Sequence, residues 1–343
     1  VKQDNSTRDI CFDDILLVPN KHSSISSRNN ISLETKIGNP ANPNSILTLH
    51  RPFIIAPMEY ISSKKMINSI AEMGGLGFVH RFQNIISRLK LSEELLGVGG
   101  FAISVSEAND RYFINDVVRT GTKVILIDTA FGHTELVLNA VRSLRSFVPD
   151  SIHIMVGNVS SYAAYKSLMD SGADSVRVGI GGGASCTTRV STGFGVPVLA
   201  SIMDIYDHVQ NDAVNGIVAD SGIKNNGDIV KALAGGASAV MMGSIFAGHS
   251  ECDGINEDGT FNFRGLASKE IQIDNSMPGS LNVEGVSGKI NPKGSVVDTL
   301  TEMIGNVSSG ISYSGYDNIK DFQRNVEFIE VSSQTVVESQ SRI

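Results

Sequence analysis

The feature that most restricts this chain is an eightfold alternation of short apolar runs with longer amphipathic stretches. Runs rich in Ile and Val occur at 52–57 (PFIIAP), 75–79 (GLGFV), 101–105 (FAISV), 123–128 (KVILID), 152–157 (IHIMVG), 175–179 (SVRVG), 215–220 (NGIVAD) and 238–243 (SAVMMG). Each is followed by a Gly or polar break, then by residues with helical spacing of Leu, Val and Ala, as at 134–146 and 163–171. Such alternation builds a parallel sheet with helices on its outside. Eight repeats favour a closed (β/α)8 TIM barrel over an open doubly wound sheet, because closure leaves no unpaired edge strand. A chain of 343 residues, 41% hydrophobic, can bury one large core, so a single catalytic domain over 1–343 is expected. The polar stretch before residue 50 reads as an N-terminal arm, 250–290 as a long loop or flap after strand eight, and 332–343 as a solvated, flexible tail.

Charge and cysteine usage narrow the function classes. The net charge is −8, with lysines and arginines scattered singly, which argues against a nucleic-acid surface. A phosphorylated substrate would be held by local backbone donors and not by a basic field. Cys11, Cys186 and Cys252 are widely spaced without C-x-x-C, so neither a disulfide framework nor a zinc site is indicated. No apolar stretch reaches the ~18 residues of a membrane span, and the first residues lack a signal pattern. A cytoplasmic protein without membrane association is expected.

The sixth run leads into GIGGGASCTTR over 179–189, a glycine-rich turn that delivers Cys186 to the C-terminal rim. Barrel enzymes build their chemistry on this rim. Glycines allow positive φ and can turn amides or carbonyls inward, a geometry that cradles an ion or a phosphate. The third glycine of a dinucleotide fingerprint is missing. A lone cysteine is more often a buried small hydrophobe than a nucleophile. After four glycines in five positions, and before Thr-Thr-Arg, it has no regular element to pack within, and partial exposure on the rim is the expectation.

This turn closely resembles the G-P-G-S-x-C-T-T-R loop of the IMP dehydrogenase and GMP reductase family. The resemblance runs in register over nearly the whole chain: FDDILLVP at 12–19, Ser27-Arg28, IDTAFGH at 127–133, Gly157-Asn158-Val159, ADSGI at 219–223, MGSIFAG at 242–248, Val283-Glu284-Gly285 and Tyr313-Ser314-Gly315. It implies that Cys186 attacks C2 of a purine nucleotide and forms a covalent intermediate. Thr188 and Glu284 correspond to the proton relay. Asp220 would take the ribose hydroxyls, with Ser221, Gly222, Gly243 and Ser244 at the phosphate corner. Met58 and the loop Gly265-Leu266-Ala267-Ser268 would meet the nucleotide, the loop at its purine edge. Asp128, Ala130, Asn158 and Tyr313 would serve a nicotinamide cofactor, and the carbonyls of Gly181, Gly183 and Cys186 a potassium ion. The family also implies a homotetramer. Without the resemblance these residues have ordinary readings, as helix caps, turn residues and surface charge.

Three features favour the reductase branch, for which the resemblance implies NADPH, while no residue is assignable to a 2′-phosphate. Family dehydrogenases resemble one another in an Arg-Tyr pair on a flap after strand eight that activates water, whereas 270–281 (EIQIDNSMPGSL) holds neither residue. The segment AGHSEC at 247–252 resembles the reductase A-G-H-x-E-C, although His249 and Cys252 alone are too few for a metal site. The regulatory domain pair of most dehydrogenases has no counterpart, since 82–99 is a short connection. The expected reaction is therefore reductive deamination of GMP, or of a close guanine analogue, to IMP and ammonia.

The departures bear on the nucleotide accepted. Ala184 replaces the loop serine, Gly182 its proline, Ser221 a glycine of A-D-G-G-I, Leu266 and Ala267 alter G-M-S-S, and Leu281 replaces an arginine. Changed donors imply a changed preference among purines. Three alternatives stay open: NAD-dependent oxidation of IMP, an FMN-dependent barrel oxidoreductase suggested by Ala56-Pro57-Met58, and a nucleotide sensor with reduced catalysis.

Overall fold

The structure, a computed structural model, describes residues 10–210, 212–265, 268–269 and 283–339. Its centre is an eight-stranded parallel sheet. The strands are β1 (Phe53–Ile55), β2 (Phe78–Val79), β3 (Gly100–Ile103), β4 (Val124–Asp128), β5 (His153–Val159), β6 (Ser175–Val178), β7 (Ile217–Asp220) and β8 (Ala239–Met242). Each expected apolar run overlaps one of them. Neighbours pair in sequence order, β8 returns to β1 through Val240 and Phe53, and an Ile54–Leu76 bridge joins β1 to β2. The circle is thereby closed into a (β/α)8 barrel.

The outer helices are α1 (Lys64–Glu72), α2 (Ile85–Glu94), α3 (Arg111–Arg119), α4 (Glu135–Phe147), α5 (Tyr162–Asp170), α6 (Val198–Val209), α7 (Asn226–Ala234) and α8 (Val296–Tyr313). Most begin at a polar cap that the sequence supplies. The side chains of Ser63, Asn84, Asp110, Thr134, Ser161 and Asn225 each accept from a backbone N–H of the first turn. On α4, Val137, Ala140, Val141 and Leu144 are buried, the stripe that binds a helix to a sheet.

The N-terminal arm before residue 50 carries short strands of its own. Strands Thr35–Ile37 and Leu47–Leu49 form an antiparallel pair beneath the barrel, with Leu33, Ile37 and Leu49 buried. Thr35 Oγ1 donates to the Ser238 carbonyl at 2.8 Å, and Ser45 Oγ and Asn42 Nδ2 donate to buried Asp174 at 2.5 and 3.0 Å. Asp174 is also paired with Arg145. Farther forward, Ile15–Val18 pairs with Glu327–Glu330. The tail read as solvated and flexible begins with a helix, Ser333–Glu338, that buries no residue. No helix among the described residues is long and apolar enough to cross a membrane.

One buried base makes a pH prediction. His80, just beyond β2, is 3% exposed, and its Nδ1 accepts from the Phe82 N–H at 3.2 Å. Burial, aided by the Arg88 guanidinium, lowers its pKa to about 4. The unfolded chain therefore binds the proton first. Stability is expected to be intact above the ordinary histidine pKa and to fall by about 3 kcal/mol as pH drops through 6.5 to 4. Urea melts of wild type and His80→Gln across that window check this, and equal acid sensitivity of the two would refute it.

Candidate active site

The site is built on the rim where β6, β7 and β8 end. After β6 the chain enters the cysteine turn with Gly179 and Gly181 at φ 147° and 77°, values that favour glycine. A Cβ at Gly181 would lie 2.6 Å from Arg189 Cγ, so the absence of a side chain lets Arg189 fold back. Its Nη2 donates to the Val196 carbonyl at 2.8 Å and, at 3.5 Å, to that of Ile180 near the start of the turn.

Cys186 is partly exposed, as a rim nucleophile requires. Its thiol donates to Thr188 Oγ1 at 3.1 Å, and that hydroxyl donates to Glu284 Oε2 at 2.6 Å. A thiol, a hydroxyl and a carboxylate thus form one proton path between segments almost a hundred residues apart. Backbone bonds fix the register: Thr187 N to Glu284 O and Val286 N to Ser185 O, both 2.9 Å, and Gly265 N to Val286 O at 3.0 Å. Gly265 and Ser268 are held against the cysteine turn by the same segment, through an approach of Gly265 to Ser185 and a Ser268–Gly285 bridge. Leu266, Ala267 and flap residues 270–282, including Leu281, lie outside the described residues.

Ser221 and Gly222, after β7, stand beside the turn, and Gly243 and Ser244 follow β8. Gly222 adopts φ 78°, and a Cβ on it would lie 3.4 Å from the ring of buried Phe12, which ties the FDDILLVP segment to this corner. Met58 packs on Gly243, where a Cβ would come within 2.5 Å of its Sδ. Behind it, Lys293 Nζ donates to the carbonyls of Ser244 and Ile245 at 3.1 and 3.2 Å. The AGHSEC segment continues this brace. His249 is fully buried, Cys252 donates to the Phe246 carbonyl at 3.2 Å, and Glu251 accepts from Ser295 Oγ and Val296 N at the start of α8.

Sequence reasoning missed the residue that organises the next part. Arg177 on β6 points into the barrel, with its side chain 5% exposed. Its Nη1 donates to Asp128 at 2.8 Å, its Nε donates to Asn158 Oδ1 at 3.0 Å and lies 3.1 Å from Asp220 Oδ2, and its Nη2 also bonds Asn158. Asp128 accepts in addition from Arg81 Nε at 2.9 Å, and Asp220 from Asn158 Nδ2 at 2.8 Å. Three sequence-predicted residues, Asp128, Asn158 and Asp220, are therefore one network around an arginine. Burial works against both carboxylates. With two guanidinium groups beside it, Asp128 is held below the usual carboxylate range, whereas Asp220, with only Arg177 and Asn158 against its burial, is pushed above it.

Ala130 is exposed on the rim just beyond Asp128. Tyr313 is not brought to this network. It lines a separate groove of about 410 Å³ with Leu17, Pro19, Val230 and Gly310.

A family model described as IMP dehydrogenase / GMP reductase domain matches residues 9–342. The inosine-5'-monophosphate dehydrogenase of Borreliella burgdorferi is 27% identical over 96% of this chain and 96% of its own length. Those of Halalkalibacterium halodurans and Streptococcus pyogenes are 34% and 33% identical over 81% of the chain. The chain covers only 60% and 59% of the length of these two relatives.

Proposed function

The chain belongs to the IMP dehydrogenase / GMP reductase family, oxidoreductases that act on purine nucleotides with a nicotinamide cofactor, and we propose that it is the reductive member of that pair. The reaction is NADPH-dependent deamination of GMP, or of a close guanine nucleotide, to IMP and ammonia. The observation that carries this reading is the Cys186–Thr188–Glu284 path, at 3.1 and 2.6 Å.

As the thiolate adds to C2, the thiol proton passes through Thr188 to Glu284. The same path returns a proton to the amino group, which leaves C2 as ammonia while the sulfur remains bonded to the purine. A bound nicotinamide cofactor would supply the hydride chemistry at C2, and Cys186 would then leave C2 as the thiolate, releasing IMP. Elsewhere the protein orients. Asp220, fixed by Arg177 and Asn158, faces the ribose hydroxyls, amides of Gly222, Gly243 and Ser244 meet the phosphate, and Gly265 to Ser268 meet the purine edge. Met58 supports this corner from β1.

The rim near Asp128 suits a carboxamide-bearing ring. Asp128 and Asn158 spend side-chain atoms on Arg177 and Arg81, and Arg81 keeps 21% of its side chain exposed with both Nη groups unbonded to described residues. Ala130 would border the same ring. Tyr313 lines the separate groove, so a cofactor role for it requires a neighbouring copy of the chain, in keeping with the homotetramer that the family implies. The carbonyls of Gly181 and Cys186 accept no hydrogen bond from described residues, which supports a potassium site there, with Gly183 as third ligand.

Oxidation of IMP by NAD is the second reading, favoured by the relatives being inosine-5'-monophosphate dehydrogenases. The deciding assay follows cofactor absorbance with both substrate pairs, in potassium and in a bulky organic cation. NADPH should be consumed with GMP in potassium, and Glu284→Gln should slow ammonia release more than hydride transfer measured backward from IMP. Reduction of NAD with IMP, yielding the xanthine nucleotide at a greater rate, would assign the chain to the other branch. Equal rates in both cation solutions would remove potassium.

A further inference from the structure

Two departures from the family pattern, far apart in sequence, meet beneath the catalytic turn. Gly182 stands where the family turn has proline, and Ser221 stands where A-D-G-G-I has glycine. In the structure a Cβ at Gly182 would lie 2.8 Å from Ser221 Oγ and 2.9 Å from Val198 Cγ2. A side chain at 182 and the serine at 221 therefore compete for one volume.

Ser221 is an unfavourable residue for its place. Its φ is 84°, in the region that favours glycine, and its hydroxyl is shut from solvent without a hydrogen-bond partner among the described residues. Glycine would relieve both costs. The side chain remains, filling space under a turn that is one residue thick at this point: a Cβ at Gly183 would sit 4.0 Å from Ser221 Cβ on one side and 3.3 Å from Cys186 Cβ on the other.

We propose that Ser221 is a positioning residue for Cys186, supporting the turn from β7 through the volume that Gly182 leaves free, and that the two positions are exchangeable only as a pair. The inference rests on Cys186 being the nucleophile, as read above. Its mechanical content concerns the resting protein, so it can be tested without turnover.

The experiment is a double-mutant cycle of Ser221→Gly, Gly182→Pro and both together, with Gly182→Ala as a milder partner should proline prevent folding. Three quantities are read: Tm, the rate of iodoacetamide alkylation at the peptide carrying Cys186, and kcat and KM separately. Ser221→Gly should keep or raise Tm, because strain and an orphan hydroxyl are removed, yet slow Cys186 alkylation at least about threefold and lower kcat more than it changes KM. Gly182→Pro or Gly182→Ala alone should slow alkylation about tenfold, and the double variant should recover to within about threefold of wild type.

Additive effects in the double variant would overturn the proposal. So would a Ser221→Ala protein that alkylates normally but raises KM about tenfold, since the hydroxyl would then be serving the nucleotide phosphate. If the cycle behaves as expected and no guanine nucleotide is reduced, the proposed reaction fails and this inference stands.

Discussion

Replacement of Cys186 by alanine is expected to lower turnover by at least ~10³-fold while leaving nucleotide affinity within about threefold of wild type. The asymmetry follows from the layout of the site. The sulfur is the strongest nucleophile in the Cys186–Thr188–Glu284 path, whereas the surfaces assigned to phosphate and ribose lie on β7, β8 and the turns after them. An alanine keeps the Cβ that packs near Gly183, so the turn should keep its shape. Calorimetric titration with GMP and IMP gives the affinity, and mass spectrometry of wild type trapped during turnover should find the purine adduct on the peptide carrying Cys186. An adduct confined to Cys11 or Cys252, or a Cys186→Ala protein that still turns over, would end the covalent reading. The thiols of Cys11 and Cys252 are both raised above their ordinary value, by partial burial first and, at Cys11, by the Asp14 carboxylate beside it.

The parts of this molecule that were legible in the sequence share a physical origin. Parallel barrel strands are buried on both faces, so they read as continuous Ile and Val runs, and all eight were recognisable without pairing partners. The cysteine turn was legible because no regular element tolerates so many glycines before a reactive side chain. The plug beneath the barrel was not, because Leu33, Ile37 and Leu49 are single apolar residues in short strands, and their burial depends on a surface made by other segments. The Thr188–Glu284 contact joins segments that no local pattern relates, so only family resemblance proposed it. His249 and Cys252 drew notice as reactive residue types, yet the contacts they make are those of a brace. Ser221 and Gly182 each appeared as an isolated departure, and their coupling is visible only as a distance.

Arg177 was the most consequential omission, and its replacement by methionine should be the most damaging change outside the catalytic triplet. In SVRVG a single charge reads as the outward face of a strand. Closure turns it inward, where its guanidinium stands between Asp128 and Asp220 in a region with little solvent. Methionine fills a similar volume but leaves two buried carboxylates with one fewer cation, and loss of one partner from such a cluster costs about 3–5 kcal/mol. Lysine should rescue poorly, because one ammonium cannot reproduce the planar fork that reaches Asp128, Asn158 and Asp220 together. The pH dependence identifies the cause. Asp220 already sits above the usual carboxylate range in the intact protein, and without Arg177 both carboxyls should rise further. A carboxyl whose folded pKa lies above its unfolded value favours folding at low pH and loses that contribution as pH climbs through the folded pKa. Arg177→Met should therefore be most destabilised near pH 8 and recover relative to wild type as pH falls toward 5, opposite to the trend set by His80. Urea melts of both proteins at the two pH values measure this directly. A stability gap that is unchanged or wider at pH 5, or one under about 1 kcal/mol at pH 8, would mean that the arginine does not hold the two carboxylates in their charged forms.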